Sequence, residues 1–332
     1  MNNKKLLVGM SPLSLLVLSA CGGGSTSNFS YTLNGNMHKG PLSDALVFLD
    51  YDGDGVLDIG EPSVRTNGSG EFSLTATQES YSIVGITDDR TIDSSSGSVF
   101  SGATFKAPSG SSMVTPTTTL MVDGNLTAAQ VVKVVGLSAN IDPLTFNAYA
   151  SGVDATDALA FEKVNQQIMN TINAFAAAAE GSGVSQVDAY KVALNSFVKV
   201  VKVKAGVDAT LDLTSTSDLE LIKAQVIMDV ANASGINTTA FNALAGATTT
   251  AIENVNAKIA TVTNLTSDTT KNIFSITQVL KDQVNAAAVA EVSSPGSGTI
   301  AFTSSQEVDN ASTNIAPTDI TLTSTSIAEN AE

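Results

Sequence analysis

The chain has 332 residues, 43% of them hydrophobic, which suffices for real cores and excludes wholesale disorder. Asp and Glu number 32 against 16 Lys and Arg, and the resulting net charge of −16 excludes nucleic acid as a partner, because phosphate binding needs clustered cations. A single cysteine excludes an internal disulfide, and at roughly 150 residues per domain the length suggests about two domains.

At the N-terminus, Lys4 and Lys5 precede an apolar run from Leu6 to Leu18. A basic segment followed by an apolar one this short reads as an export signal, not as a spanning helix. Leu18-Ser19-Ala20-Cys21 closes the run, and Cys21 is the lone cysteine. This resembles the lipobox of bacterial lipoproteins. The resemblance implies that residues 1–20 are a signal peptide and that the Cys21 thiol receives a diacylglyceryl group. The membrane is then a partner through the lipid on Cys21. Gly22 is not the aspartate that retains many lipoproteins at the inner membrane, so the outer membrane or cell surface is the expected location. Residues 21–28 are rich in Gly and Ser and read as a flexible tether.

Residues 29–110 read as β structure. Apolar or alternating runs at 31–33, 45–49, 71–76 and 81–86 are separated by Gly, Asn, Asp and Ser clusters, as turns require. Short strands with frequent turns predict a small sandwich. Within it, Asp50-Tyr51-Asp52-Gly53-Asp54-Gly55-Val56-Leu57-Asp58-Ile59-Gly60-Glu61 fits the twelve-position calcium loop D-x-D-x-D-G-x5-E at every defined position. Calcium is a hard cation that takes six to eight oxygens at ~2.3–2.6 Å. In such a loop Asp50, Asp52 and Asp54 present alternate carboxylates inward, and Gly55 permits the sharp turn. Val56 offers its carbonyl, Asp58 reaches the ion through water, and Glu61 closes the shell with two oxygens. Five carboxylates this close would repel one another without a cation.

The flanks are not those of an EF-hand. A strand-like run enters the loop and Pro62 follows it, which argues for a structural ion stapling strands and against a sensor that opens a groove. The wider pattern from Gly40-Pro41-Leu42 through Glu61-Pro62 to Gly70-Glu71-Phe72 resembles the calcium-stapled β-sandwich repeats of bacterial surface adhesins.

From residue 127 to 292, alanine rises and the period becomes helical. Five apolar stripes stand out: Phe161 to Ala179, Val187 to Val201, Leu219 to Val230, Phe241 to Val262 and Ile273 to Val284. Ser185, Ser217 and Ser267 are expected N-caps, and Gly181, Gly206 and Gly235 are expected just past helix ends. Five long helices with short connections predict an antiparallel helical bundle over 111–292. Residues 293–315 have a linker composition. Val114-Thr115-Pro116-Thr117-Thr118-Thr119-Leu120, ahead of the helices, looks like a segment near the N-termini of large bacterial surface proteins with cadherin-like repeats. Ala316-Pro317-Thr318-Asp319-Ile320-Thr321-Leu322, with Glu329-Asn330, resembles the opening strand of such a repeat. That resemblance implies that residues 293–332 are a linker and the start of a cadherin-like repeat, a truncated β segment that continues beyond residue 332.

Catalytic patterns are scarce. His38 is the only histidine, which removes HExxH zinc sites, and any Ser-His-Asp triad would have to use it. Neither a phosphate-binding loop nor a dinucleotide fingerprint occurs. The fold class expected is therefore α+β multidomain: a small calcium-stapled β-sandwich, an antiparallel helical bundle, then the truncated β segment. The expected function is a lipid-anchored, calcium-binding surface protein of adhesive or structural type, with Ca2+ as cofactor, cell-surface or homophilic protein partners, and no enzymatic activity. The alternative is a lipoprotein with a ligand-binding or hydrolytic helical domain.

Overall fold

Ten short strands precede eight helices among residues 30–314, which are those the computed structural model describes. The lipobox at Leu18 to Cys21, the 21–28 tether and the cadherin-like stretch from Ala316 lie outside the described residues. The strands are β1 (Tyr31–Met37), β2 (Leu42–Ser43), β3 (Leu46–Asp50), β4 (Ser63–Arg65), β5 (Glu71–Ala76), β6 (Ser82–Ile86), β7 (Ile92–Asp93), β8 (Ser98–Val99), β9 (Thr104–Pro108) and β10 (Met113–Val114). They form three small sheets, ordered β10-β1-β5, β2-β7-β8 and β4-β3-β6-β9. The β1–β10 pair is parallel and the remaining pairs are antiparallel.

The four apolar or alternating runs fall on β1, β3, β5 and β6. In β5, Phe72, Leu74 and Ala76 are buried while Glu71, Ser73 and Thr75 face water, the period-2 pattern of a half-buried strand. β1 runs straight through Gly35, past the expected run at 31–33. A Cβ there would lie 2.5 Å from the Phe72 ring across the sheet, so the glycine marks a close approach and not a turn. Strands of two or three residues, such as β7 and β10, are too short to carry a period. The strand structure also passes the expected boundary at Gly110, because β10 pairs with β1 at Asn36 and Met37.

The helices are α1 (Pro116–Gly124), α2 (Ala128–Val134), α3 (Ala155–Gly181), α4 (Gln186–Gly206), α5 (Thr216–Asn232), α6 (Thr238–Ala260), α7 (Asp268–Ser293) and α8 (Ser305–Asn314). The segment from Val114 to Leu120 turns out to be a strand end followed by a helix start. Thr115 caps α1 reciprocally with Thr118, and Pro116 takes the first helical position, where its missing N–H costs nothing. The five apolar stripes lie on helices α3 to α7, except that Val262 falls just past the end of α6. Ser185 and Ser267 cap α4 and α7 through their side chains as expected. The cap of α5 is Ser215 instead of Ser217, which sits inside the first turn with its hydroxyl 2.9 Å from that of Ser215. Gly181 is the last residue of α3, where a Cβ would meet the Asn285 carbonyl at 2.5 Å, so it lets α7 pack close.

α3 is the central helix, packed on α4, α6 and α7 and buried almost all round. Several of its polar side chains make hydrogen bonds in the interior. Asn170 Nδ2 donates to Asn256 Oδ1 (2.9 Å), and Gln167 Nε2 donates to the Asn256 carbonyl (3.0 Å). The linker composition of 293–315 misleads, because α8 docks on α6 and α7 there. Ile300, Phe302 and Val308 are buried, and Asn254 Nδ2 donates to the Phe302 carbonyl (2.8 Å). Ser and Thr serve in this stretch as caps and back-bonding residues, not as spacers. Among the described residues, no helix is long and apolar enough to cross a membrane.

Strands and helices share one contiguous core, running from Leu33 and Phe105 to Phe175 and Val284. Polar ties cross the join at residue 110. Tyr190 of α4 donates to the Thr104 carbonyl (3.1 Å), and Lys281 of α7 donates to the Ser101 carbonyl (3.0 Å). The chain is mixed α and β, with the strand layer bolted to the helices by buried contacts.

Candidate metal centre

β3 ends at Asp50, and the chain then turns through the acidic loop before β4 begins at Ser63. The turn needs backbone freedom: Gly53, Gly55 and Gly60 have φ of +84°, +77° and +100°, a region L side chains avoid. Asp50 is buried at the base of the loop. Its carboxylate accepts from Gly53 N (2.7 Å) and Gly55 N (3.0 Å), with the Ser82 hydroxyl at 3.3 Å. Asp52 accepts from Asp54 N (3.2 Å), and Asp54 accepts from Val56 N (2.7 Å). These Asx turns wind the loop tightly enough that carboxylate oxygens of Asp50, Asp52 and Asp54 lie within 4.8 Å of one another. A three-carboxylate cluster of this kind could hold a metal ion.

Asp58 and Glu61 stand outside that cluster. Glu61 instead clamps the loop from its far end. Its Oε1 accepts from Tyr51 N (2.7 Å) and its Oε2 from Asp58 N (3.0 Å). Asp58 still feels the cluster: desolvation, then repulsion from Asp54, Asp52, Glu61 and Asp50, raises its pKa. The loop's apolar side chains Val56, Leu57 and Ile59 point into solvent.

A cleft of about 410 Å³ opens beside the loop, lined by Asp54 and Val56 on one side and by Tyr190, Lys191 and Leu194 of α4 on the other. Lys106 and Asp123, paired at 2.8 Å, lie in its wall.

His38 forms no triad. Burial pushes its pKa down to about 4, and its Nε2 lies 3.2 Å from the Ser69 carbonyl instead of a serine hydroxyl. Near it lies a polar constellation that sequence patterns do not announce: Lys39, Asp93, Ser95, Glu162 and Gln166, all buried. Its members come from three separate stretches of chain, so no local spacing connects them. The one legible trace is a charged residue, Glu162, on the apolar face of a strongly helical stripe.

No family model matches the chain, and neither curated proteins nor solved structures give a match to it.

Proposed function

We propose that the protein is a lipid-anchored, calcium-binding cell-surface protein of adhesive or structural type, exported, held at a membrane through Cys21, and without enzymatic activity. The observation that carries this reading is the convergence of Asp50, Asp52 and Asp54 in a loop that fits the calcium pattern at every defined position. A bound calcium neutralises carboxylates that otherwise repel, and so staples β3 to β4. In this arrangement the strand layer acts as a calcium-stapled sandwich and α3 to α7 as an antiparallel bundle supporting it. Outward-facing partners are cell-surface proteins or further copies of the chain.

The test is calcium dependence of unfolding in the full chain. At a Kd of ~10⁻⁴ M, usual for extracellular modules, ~100-fold excess calcium adds about 2.7 kcal/mol. Equal melting curves in calcium and in chelator would remove the staple. Anchoring is tested separately: Cys21→Ser should move the protein from the membrane fraction to the soluble one. A second reading, ligand binding, is favoured by the cleft between the loop and α4. Because the chain has no tryptophan, Val187→Trp at the cleft rim provides a single fluorophore to report on ligands entering it.

A further inference from the structure

Lys39 and Asp93 are 54 residues apart and meet in the core, where Lys39 Nζ lies 2.6 Å from Asp93 Oδ2 with the side chains 2% and 1% exposed. The other carboxylate oxygen sits in a cradle. Ser95 donates to Asp93 Oδ1 from both its backbone N–H (2.9 Å) and its hydroxyl (2.6 Å). Gly40, at φ +70°, lets the chain after Lys39 pass, since a Cβ there would lie 2.3 Å from Asp93 Oδ1. The Phe100 ring closes one side, 4.6 Å from Nζ. From α3, Gln166 Nε2 lies within hydrogen-bond distance of the Lys39 carbonyl (2.7 Å), Ser95 Oγ (3.0 Å) and Glu162 Oε1 (2.8 Å). Among the described residues, two buried polar atoms beside this group, Tyr149 Oη and Gln166 Oε1, find no hydrogen-bond partner.

We propose that the Lys39 amine and the Asp93 carboxyl condense inside the folded chain to an amide, releasing one water. An ammonium and a carboxylate are both poorly solvated in such a place, and passing one proton from Nζ to Oδ2 neutralises the pair. The free amine then attacks Cγ. The Nζ–Cγ bond forms, and the C=O electron pair moves onto Oδ1, where the two Ser95 donors stabilise it as an oxyanion hole does. Protonated Glu162 gives its proton to the departing hydroxyl, which leaves as water when the Cγ–Oδ2 bond breaks. Glu162 then takes a proton back from the nitrogen. Ammonium plus carboxylate becomes amide plus water, with no oxidant or cofactor.

Glu162 is suited to carrying that proton. Burial raises its pKa to about 7 against the pull of the Gln166 hydrogen bond, so it is partly protonated at neutral pH. The bond would tie the turn after β1 to β7 in a chain with no second cysteine for a disulfide. A buried ion pair with nothing covalent is the competing outcome, and mass separates the two.

The experiment is a tryptic digest of the denatured full-length protein, read by mass spectrometry. The result expected is that Lys39 resists trypsin and that residues 91–106 stay joined to the Lys39 peptide, one water lighter than the two together. A free 91–106 peptide with complete cleavage at Lys39 would overturn the proposal. Lys39→Arg, which keeps the cation, should yield only free peptide, and a persistent cross-link in that variant would remove Lys39 as the nucleophile. Glu162→Gln should slow bond formation on the order of a hundredfold, as loss of a general acid does. An unchanged rate in that variant would overturn the role given to Glu162.

Discussion

The acidic loop gathers like charges in water, whereas the Lys39–Asp93 pair gathers opposite charges in the core. In the loop, Asp52 and Asp54 are exposed and the backbone supplies most of the hydrogen bonds, so the arrangement is set locally. The buried pair joins the turn after β1 to β7 and has partners from the loop beyond β7 and from α3, so its surroundings are complete only when the strand layer and the helices are assembled. Loop charges are therefore set by local turns, and core charges by what folds against them.

The largest effect expected comes from breaking the buried pair. Asp93→Ala leaves a buried ammonium unpaired, and removing one partner of such a pair costs about 3–5 kcal/mol, read as a lower denaturant midpoint. The double variant Lys39→Met with Asp93→Leu sharpens the comparison. Apolar replacement of a plain buried ion pair is often neutral or stabilising. If the wild type carries the amide, the double variant instead stays well below it, because the cross-link is lost along with the charges.

Next in size is pH. His38, with its pKa lowered to about 4 from an ordinary 6.5, is neutral in the fold and protonated in the unfolded chain between those values. Its contribution to stability therefore rises with pH across that window and is lost as pH falls toward 4. Glu162, raised from 4.5 to about 7, does the reverse. The unfolded chain has released that proton while the fold retains it, so stability falls as pH rises from 4.5 to 7 and is flat above. Each slope is on the order of 1.4 kcal/mol per pH unit, and in the wild type they oppose. Glu162→Gln should therefore expose a rising stability between pH 4 and 6.5, and His38→Phe a falling one between 4.5 and 7. Urea midpoints across pH measure both. Identical profiles for the two variants would show that these groups do not titrate as the burial demands.

Calcium follows, with about 2.7 kcal/mol at ~100-fold excess. Asp52→Ala, inside the aspartate cluster, should abolish the gain, whereas Glu61→Ala should destabilise the chain even without calcium, because Glu61 clamps Tyr51 and Asp58 through their backbone N–H groups. Equal stability of the two variants in chelator would break that distinction. The smallest effect tests the purely local signals. Ser185→Ala should cost about 1 kcal/mol by uncapping α4, while Ser217→Ala, inside α5, should change little.

The elements legible beforehand were those whose information is local. A twelve-residue spacing of carboxylates and glycines specifies its own turn, and the helical stripes of α3 to α7 repeat often enough to be read without a partner. The same locality explains the errors. At Ser215 and Ser217, two serines stand two residues apart, and the path of the preceding chain puts Ser215 at the N-cap position without a side-chain capping bond. The stretch after residue 293 looks like spacer because Ser, Asn and Thr dominate it, yet three apolar residues suffice once α6 and α7 provide a surface.

By itself, then, the sequence determined the helical stripes, the main strands and the acidic loop, because each is set by periodicity or spacing along a few consecutive turns of chain. The tertiary structure alone decided that strands and helices share one core, that α8 docks, that Glu61 clamps the loop from outside the aspartate cluster, and that Lys39 meets Asp93. Those outcomes depend on which distant surfaces bury each other, and burial is a property of the assembled chain and not of any segment within it.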